Sequence, residues 1–417
     1  MVLLKKMMMR PNALSTSSGG GLARFSTLTN KVIRSVPPTR SSTPNPTPNS
    51  CSNLEGGSGG GRRLEGILPS SSSSNLRSFH TTLLRSGGES GGVAEESVKE
   101  WFERISSSKV PSVKDRTDLN RARQLKLCLP SLESLSLPST ERQGAWEKSK
   151  EEEVLSIEQG DPMPKGSELI LFNPLLTESR LSQDGTESDF RPPGGFDQRM
   201  WASGSFHFNT GNPLLVAQEV ESRTFLESAV EKKGKRTGDM VLVTRRIEIS
   251  NPQGLVCTER RCHVYRKKKD VGTPPPQTDT KGPPAAPKKP SPTDPPQPDV
   301  TRTFLATRST LFRYSAVTFN SHRIHLDPEY CRLQEGHKDC LVHGPLTATL
   351  LLNLASTARP NYAVQSFEYR ALNPLLVDRP FSLNLKWSSD DGLDARLWAT
   401  DEHGVVCMSA SATLVPS

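Results

Sequence analysis

Tyr314-Ser315-Ala316-Val317-Thr318-Phe319-Asn320-Ser321-His322-Arg323-Ile324-His325-Leu326-Asp327-Pro328 is followed, after a short spacer, by Leu341-Val342-His343-Gly344-Pro345. Then comes Leu346-Thr347-Ala348-Thr349-Leu350-Leu351-Leu352-Asn353-Leu354-Ala355. Proline is favoured in a first helical turn, so the spacing predicts a helix that begins near Pro345 and runs to Ala355. The run is apolar almost all round, which predicts a buried helix and not a surface one. Strand-like segments follow at 381–387, 395–400 and 405–414, mixing β-branched, aromatic and polar residues. A buried helix followed by an antiparallel meander is an α+β arrangement in which a sheet wraps one helix.

The pattern occurs twice. Asn212-Pro213-Leu214-Leu215-Val216 returns as Asn373-Pro374-Leu375-Leu376-Val377, and the Gly254-Leu255-Val256-Cys257 turn returns as Gly404-Val405-Val406-Cys407. Residues 240–249 and 255–265 form a hairpin signal around the first of these turns. An internal duplication with globular segments at 95–268 and 301–417 accounts for both matches. The first segment has no second copy of the Asn-x-His-x-Ile-His stretch. His207 and His263 read there as structural, and Trp201, Phe206 and Phe208 as ordinary strand patterning.

The rest of the chain is low in core material. The sequence has 417 residues with 34 prolines, 30 glycines and 33% hydrophobic residues. Residues 271–300 hold eleven prolines, which forbids helix interior or central strand and marks a linker or exposed loop. Residues 1–90 carry eleven basic and three acidic groups, an excess equal to the whole net charge of +8. The remainder is neutral, so the basic pI is no argument for nucleic acid or an anionic membrane. A basic, Ser-rich, acid-poor start is the composition of a mitochondrial transit peptide, with a processing-like segment at Arg77-Ser78-Phe79. No window of about 18 apolar residues suggests a membrane span. Seven scattered cysteines without a CxxC pair suit a reducing compartment. His322, His325, Cys331, His337, Cys340 and His343 form a metal-like cluster in composition, but their spacing fits no standard zinc site, and no metal or other cofactor is expected.

With the helix, the His-x-Asp-Pro of residues 325–328 and the His-Gly of residues 343–344, the chain resembles the MaoC-like (R)-specific enoyl-thioester hydratases and dehydratases. Two copies in one chain resemble their double-hotdog members. The element Pro192-Pro193-Gly194-Gly195-Phe196-Asp197-Gln198-Arg199-Met200-Trp201-Ala202 is similar to one in the mitochondrial 3-hydroxyacyl-thioester dehydratases. The resemblance implies removal of water from an (R)-3-hydroxyacyl thioester in fatty-acid synthesis of the mitochondrial matrix. The substrate would be carried by acyl carrier protein or CoA, by a homodimer or a monomeric pseudo-dimer. An alternative is a hydratase of the mesaconyl- or itaconyl-CoA type, for which Arg199 or Arg323 could supply an extra cation. A third is a noncatalytic scaffold that binds acyl carrier protein.

Such chemistry needs a base of near-neutral pKa, a group that orients water, and fixed donors to the thioester oxygen. His325 is the expected base, and Asn320, which stands where the family usually has Asp, can only orient by hydrogen bonds. His322 stands where the family has Asn and is expected to share the work or bind substrate. Gly344, at a helix start, is the expected oxyanion donor. Tyr314 and Arg323 are expected to line the pocket or hold substrate phosphate.

Overall fold

The computed structural model describes residues 96–129, 150–234, 238–267 and 295–417. The segment 1–90, read above as a transit peptide, and most of the Pro-rich segment 271–300 lie outside the described residues. The described helices are α1 (Val98–Ser106), α2 (Leu119–Cys128), α3 (Arg308–Val317), α4 (Pro328–Leu333) and α5 (Gly344–Ala358), together with a short turn of helix at 150–155. The strands are β1 (Ser112–Arg116), β2 (Gln198–Phe208), β3 (Glu219–Lys232), β4 (Met240–Asn251), β5 (Gly254–Arg266), β6 (Val300–Leu305), β7 (Tyr362–Ala371), β8 (Pro380–Trp387), β9 (Asp394–Thr400) and β10 (Val406–Pro416).

These strands make one antiparallel sheet in the order β1-β3-β4-β5-β2-β7-β10-β9-β8-β6. Taken inward from either edge the order is the same, with β6, β8, β9, β10 and β7 repeating β1, β3, β4, β5 and β2. The two halves meet where β2 pairs with β7, and there Phe206 lies directly opposite Phe367. These two phenylalanines are 161 residues apart, the offset that also separates the two Asn-Pro-Leu-Leu-Val runs. The pivot of the duplication therefore passes between two equivalent side chains, each 1% exposed or less.

The hydrogen bonds repeat as well. Met163 N–H donates to Leu214 O at 2.8 Å, as Val342 does to Leu375 at 2.8 Å. Val216 donates to Asp161 at 2.8 Å and Val377 to Cys340 at 3.0 Å, while Ala217 and Asp378 share a left-handed backbone, with φ of 71° and 56°. The structure is the α+β double hotdog expected from the sequence.

The halves diverge immediately after this shared framework. In the second, His343 is followed by the 15-residue helix α5, whose Leu346, Leu350, Leu351, Leu352 and Leu354 are at most 2% exposed. Each such leucine contributes roughly 1.5–3 kcal/mol by leaving water, which is why the run folds as the central helix of the sheet. In the first half the corresponding chain makes only one 3-10 turn, Ser167–Leu169. Gly166 packs so tightly on α5 there that an added Cβ would lie 2.7 Å from Thr349 Oγ1, and Asn353 Nδ2 donates to Lys165 O at 3.2 Å. One helix thus serves both halves.

Candidate active site

A cavity of about 750 Å³ opens between the loop after α3, the start of α5 and the β2–β5 wall of the first half. Its catalytic-type side chains are held by local rules legible in the chain. α3 ends at Val317, Phe319 turns into the left-handed region at φ 51°, and Asn320 N–H closes the turn on Ser315 O at 2.8 Å. Asn320 Oδ1 then accepts the backbone N–H of His322 at 3.0 Å, an Asx turn that launches the 3-10 turn Arg323–His325. Asp327 caps α4 by accepting from Glu329 and Tyr330 N–H at 3.0 and 2.9 Å, with Pro328 at the first helical position. The Asp-Pro of the motif is therefore a helix start that ends the histidine turn.

His325 is 8% exposed and its Nδ1 lies 2.9 Å from Leu341 O. A carbonyl only accepts, so Nδ1 carries the proton and Nε2 is left with its lone pair. Burial pushes the His325 pKa down to about 4, the Leu341 hydrogen bond opposes that, and the Arg199 charge adds to it. The ring is a neutral base throughout the physiological range. His343 stacks on it, with centroids 3.7 Å apart and planes 19° apart, and its Nε2 is 2.8 Å from Ser315 Oγ. His343 Nδ1 has no hydrogen-bond partner, and burial followed by the neighbouring His325 keeps that ring neutral as well. His322 meets His325 edge-on at 5.6 Å.

Gly344 is the first residue of α5, so its N–H has no intrahelical acceptor and sits at the positive end of the helix. The absence of a side chain also has a packing cause. A Cβ there would lie 3.0 Å from Trp201 Cδ1 and 3.1 Å from Cγ. Asn320, His322, His325 and Gly344 all line the cavity. Tyr314 and Arg323 do not meet their expectation. Tyr314 is 1% exposed and packs edge-on against His343 at 5.0 Å, behind the cavity wall. Arg323 is exposed, pairs with Asp327 at 2.7 Å and lies over the Tyr330 ring.

The first half contributes groups that its sequence did not advertise. Asp184 O accepts Arg323 N–H at 2.8 Å, Ser321 Oγ donates to Gly185 O at 2.6 Å, and Asp184 Oδ2 stands 3.7 Å from His322 Nε2. Gly185, at φ 84°, allows this contact, because a Cβ would strike Ser321 O. An Asp-Gly-Thr turn 136 residues upstream gives no local sign of such a partner. His263, read as structural, is buried and meets Trp201 edge-on at 5.3 Å, and it also lines the cavity. A β-bulge between Trp201 and Ser203 shifts the phase of β2, which lets Trp201 stack on Tyr369 and Phe206 meet the same ring at a tilt of 30° despite their odd spacing. Arg199, Arg245 and Arg261 complete this wall. Among the described residues no group of three or more His, Cys, Asp or Glu side chains is placed to share one metal ion.

Comparison with known proteins adds the family. The model of the hydroxyacyl-thioester dehydratase type 2 family matches residues 166–377. A mesaconyl-C(4)-CoA hydratase of Chloroflexus aurantiacus is 34% identical over 259 residues, covering 61% of this chain and 84% of that one. A mitochondrial hydroxyacyl-thioester dehydratase type 2 of Schizosaccharomyces pombe is 26% identical over 245 residues, covering 52% and 76%. Among solved structures, a MaoC-like dehydratase from Phytophthora capsici superposes with a TM-score of 0.49 at 13% identity, over 76% of this chain and 98% of that one.

Proposed function

We propose, because the chain belongs to the hydroxyacyl-thioester dehydratase type 2 family and is a hydro-lyase, that it interconverts trans-2-enoyl and (R)-3-hydroxyacyl thioesters in mitochondria. The observation that carries this reading is His325. It is buried, neutral, held in one tautomer by Leu341 O, and its free Nε2 belongs to a ring lining the cavity that Gly344 also lines.

In the dehydration direction His325 Nε2 takes the proton from C2, the C2=C3 bond forms, and the C3–O bond breaks. The proton goes to the departing hydroxyl, so water leaves and His325 is neutral again. The Gly344 N–H meets the charge that grows on the thioester oxygen. Asn320 Oδ1 is committed to the His322 backbone, so its contribution to the cavity is restricted to its amide N–H group, a donor that can orient the hydroxyl. His322, steadied beside Asp184, shapes the same end of the site. The thioester itself acidifies C2, and the residues supply acid, base and donor.

Residues 1–90 support delivery to the mitochondrial matrix, and the fatty-acyl chains of matrix fatty-acid synthesis, carried by acyl carrier protein or CoA, are the first substrate reading. The half without a histidine loop completes the sheet and walls the cavity. A second reading, a thioester of a branched dicarboxylic acid, is favoured by the arginines of that wall. The test is to follow hydration of crotonyl and longer enoyl thioesters by loss of the conjugated absorbance. His325→Ala is expected to lower kcat by roughly 10²–10⁴-fold, the worth of a positioned acid/base group. Wild-type activity retained in that variant would end the reading.

A further inference from the structure

Two of the soft side chains gathered in the metal-like stretch of the sequence meet in the structure, and the water chemistry uses neither. Cys331 lies in α4, and Cys340 comes nine residues later, just ahead of Leu341. Both are free thiols, 0% and 2% exposed, and they are in hydrogen-bond contact with each other. The chain between them folds back on itself, with His337 N–H donating to Cys331 O at 2.8 Å. Every residue from 332 to 339 is exposed or half-buried, so the pair lies beneath a surface loop.

Both cysteines are tied to the backbone that places His325. Cys331 Sγ donates to Ile324 O at 3.2 Å, and the same oxygen accepts Leu341 N–H at 2.9 Å. Ile324 is the residue before His325. Leu341, whose carbonyl holds His325 Nδ1 at 2.9 Å, is the residue after Cys340. A disulfide is about 2.05 Å long, far shorter than a contact between two thiols. Closing it draws Cys331 Sγ off Ile324 O and displaces Cys340 together with the Leu341 carbonyl. The proposed base then loses the fixed tautomer and position on which proton transfer depends.

We propose that Cys331 and Cys340 form a reversible disulfide site, oxidised by a peroxide, whose closure displaces His325 and slows the enzyme. The effect on rate rests on the hydratase reading of the cavity, whereas formation of the bridge does not. Cys340 is the thiol that reacts first. Burial raises the pKa of both, that of Cys331 to about 12, but the Cys331 thiol and the Arg308 guanidinium, 3.9 Å from Cys340 Sγ, draw Cys340 back against Asp339. The Cys340 thiolate attacks one oxygen of hydrogen peroxide, the O–O bond breaks, and a sulfenic acid forms while the departing hydroxide takes up the thiol proton as water. Cys331 Sγ then attacks that sulfur, the S–S bond forms, and hydroxide leaves with the Cys331 proton as a second water. The two thiols have lost two protons and two electrons, and one peroxide has become two waters.

The test treats the full chain with hydrogen peroxide, blocks the remaining thiols with N-ethylmaleimide and digests with trypsin. Arg332 and Lys338 lie between the two cysteines, so the bridge appears as two linked peptides that dithiothreitol separates. Hydration of a crotonyl thioester by the same samples is expected to fall at least about tenfold as the linked pair accumulates, and to recover with dithiothreitol. Cys340→Ser is expected to keep the rate of the reduced wild type and to lose the reversible inhibition. Both cysteines still open to alkylation after peroxide, or a linked pair with full activity, overturns the proposal. So does reversible inhibition that persists in Cys340→Ser, which places the oxidised group elsewhere. A misfolded Cys340→Ser leaves the decision to wild type, where linkage and loss of rate must rise together. A reduced enzyme inactive on every thioester ends the hydratase reading and the effect on rate with it, while the linked peptides decide the bridge by themselves.

Discussion

Lowering the pH from 7 to about 4.5 should cost this protein stability through His325 in an amount that the structure sets. The folded ring has its pKa lowered from the usual 6.5 to about 4. Above pH 6.5 folded and unfolded chains are both neutral at this site and it contributes no pH dependence. Below 6.5 the unfolded chain takes up a proton that the buried ring refuses, so stability falls with pH until the folded ring is protonated too, near 4. At about pH 4.5 the loss amounts to about 2.5 kcal/mol, at about 1.4 kcal/mol for each unit of pKa difference. His263, His322 and His343, all kept well below the usual value by burial first, act in the same direction. Urea unfolding of wild type and His325→Gln at both pH values isolates the single ring, because carboxylate titration is common to the two proteins. The acid-induced loss is expected to be about 2.5 kcal/mol smaller in the variant. In activity, kcat/KM should stay level from pH 7 to about 5 and fall only as pH approaches 4. An identical acid loss in the two proteins, or an acid limb centred at the ordinary histidine value, refutes the argument.

Gly344→Ala puts a methyl 3.0 Å from Trp201 Cδ1 and should cost roughly 1–3 kcal/mol by overpacking. Adding Trp201→Leu should restore the melting temperature, and kcat recovering with it would show that the missing side chain serves packing, since alanine keeps the backbone N–H. Asp184→Ala removes the acceptor of Thr186 N–H and Oγ1 and the carboxylate beside His322. Its expected cost is about 1–3 kcal/mol with a drop in kcat, read by thermal unfolding and hydration kinetics. Glu187→Gln leaves Arg199 buried without its counter-ion, and chemical denaturation should show a loss of about 3–5 kcal/mol. Ser315→Ala frees His343 Nε2 from its hydroxyl partner and should lower kcat more than it alters KM, since it loosens the ring stacked on His325 without touching the thioester.

Sequence alone determined what depends on neighbours along the chain. The apolar run after Pro345 read as a buried helix, and the two repeated matches, Asn-Pro-Leu-Leu-Val and the Gly-x-Val-Cys turn, carried the duplication. The proposed base, His325, was singled out for the same reason, within one motif. Tertiary structure decided what depends on groups far apart. Asp184 reaches His322 from 138 residues upstream, and the Arg245–Arg261 apposition exists only because β4 and β5 pair in one register. Tyr314 and Arg323 looked like pocket residues until helix phase turned one into the core and an ion pair turned the other outward. The absence of a second central helix from the described residues, a difference of packing and not of motif, leaves one half to bring the histidines to the cavity and the other to bring the charged wall.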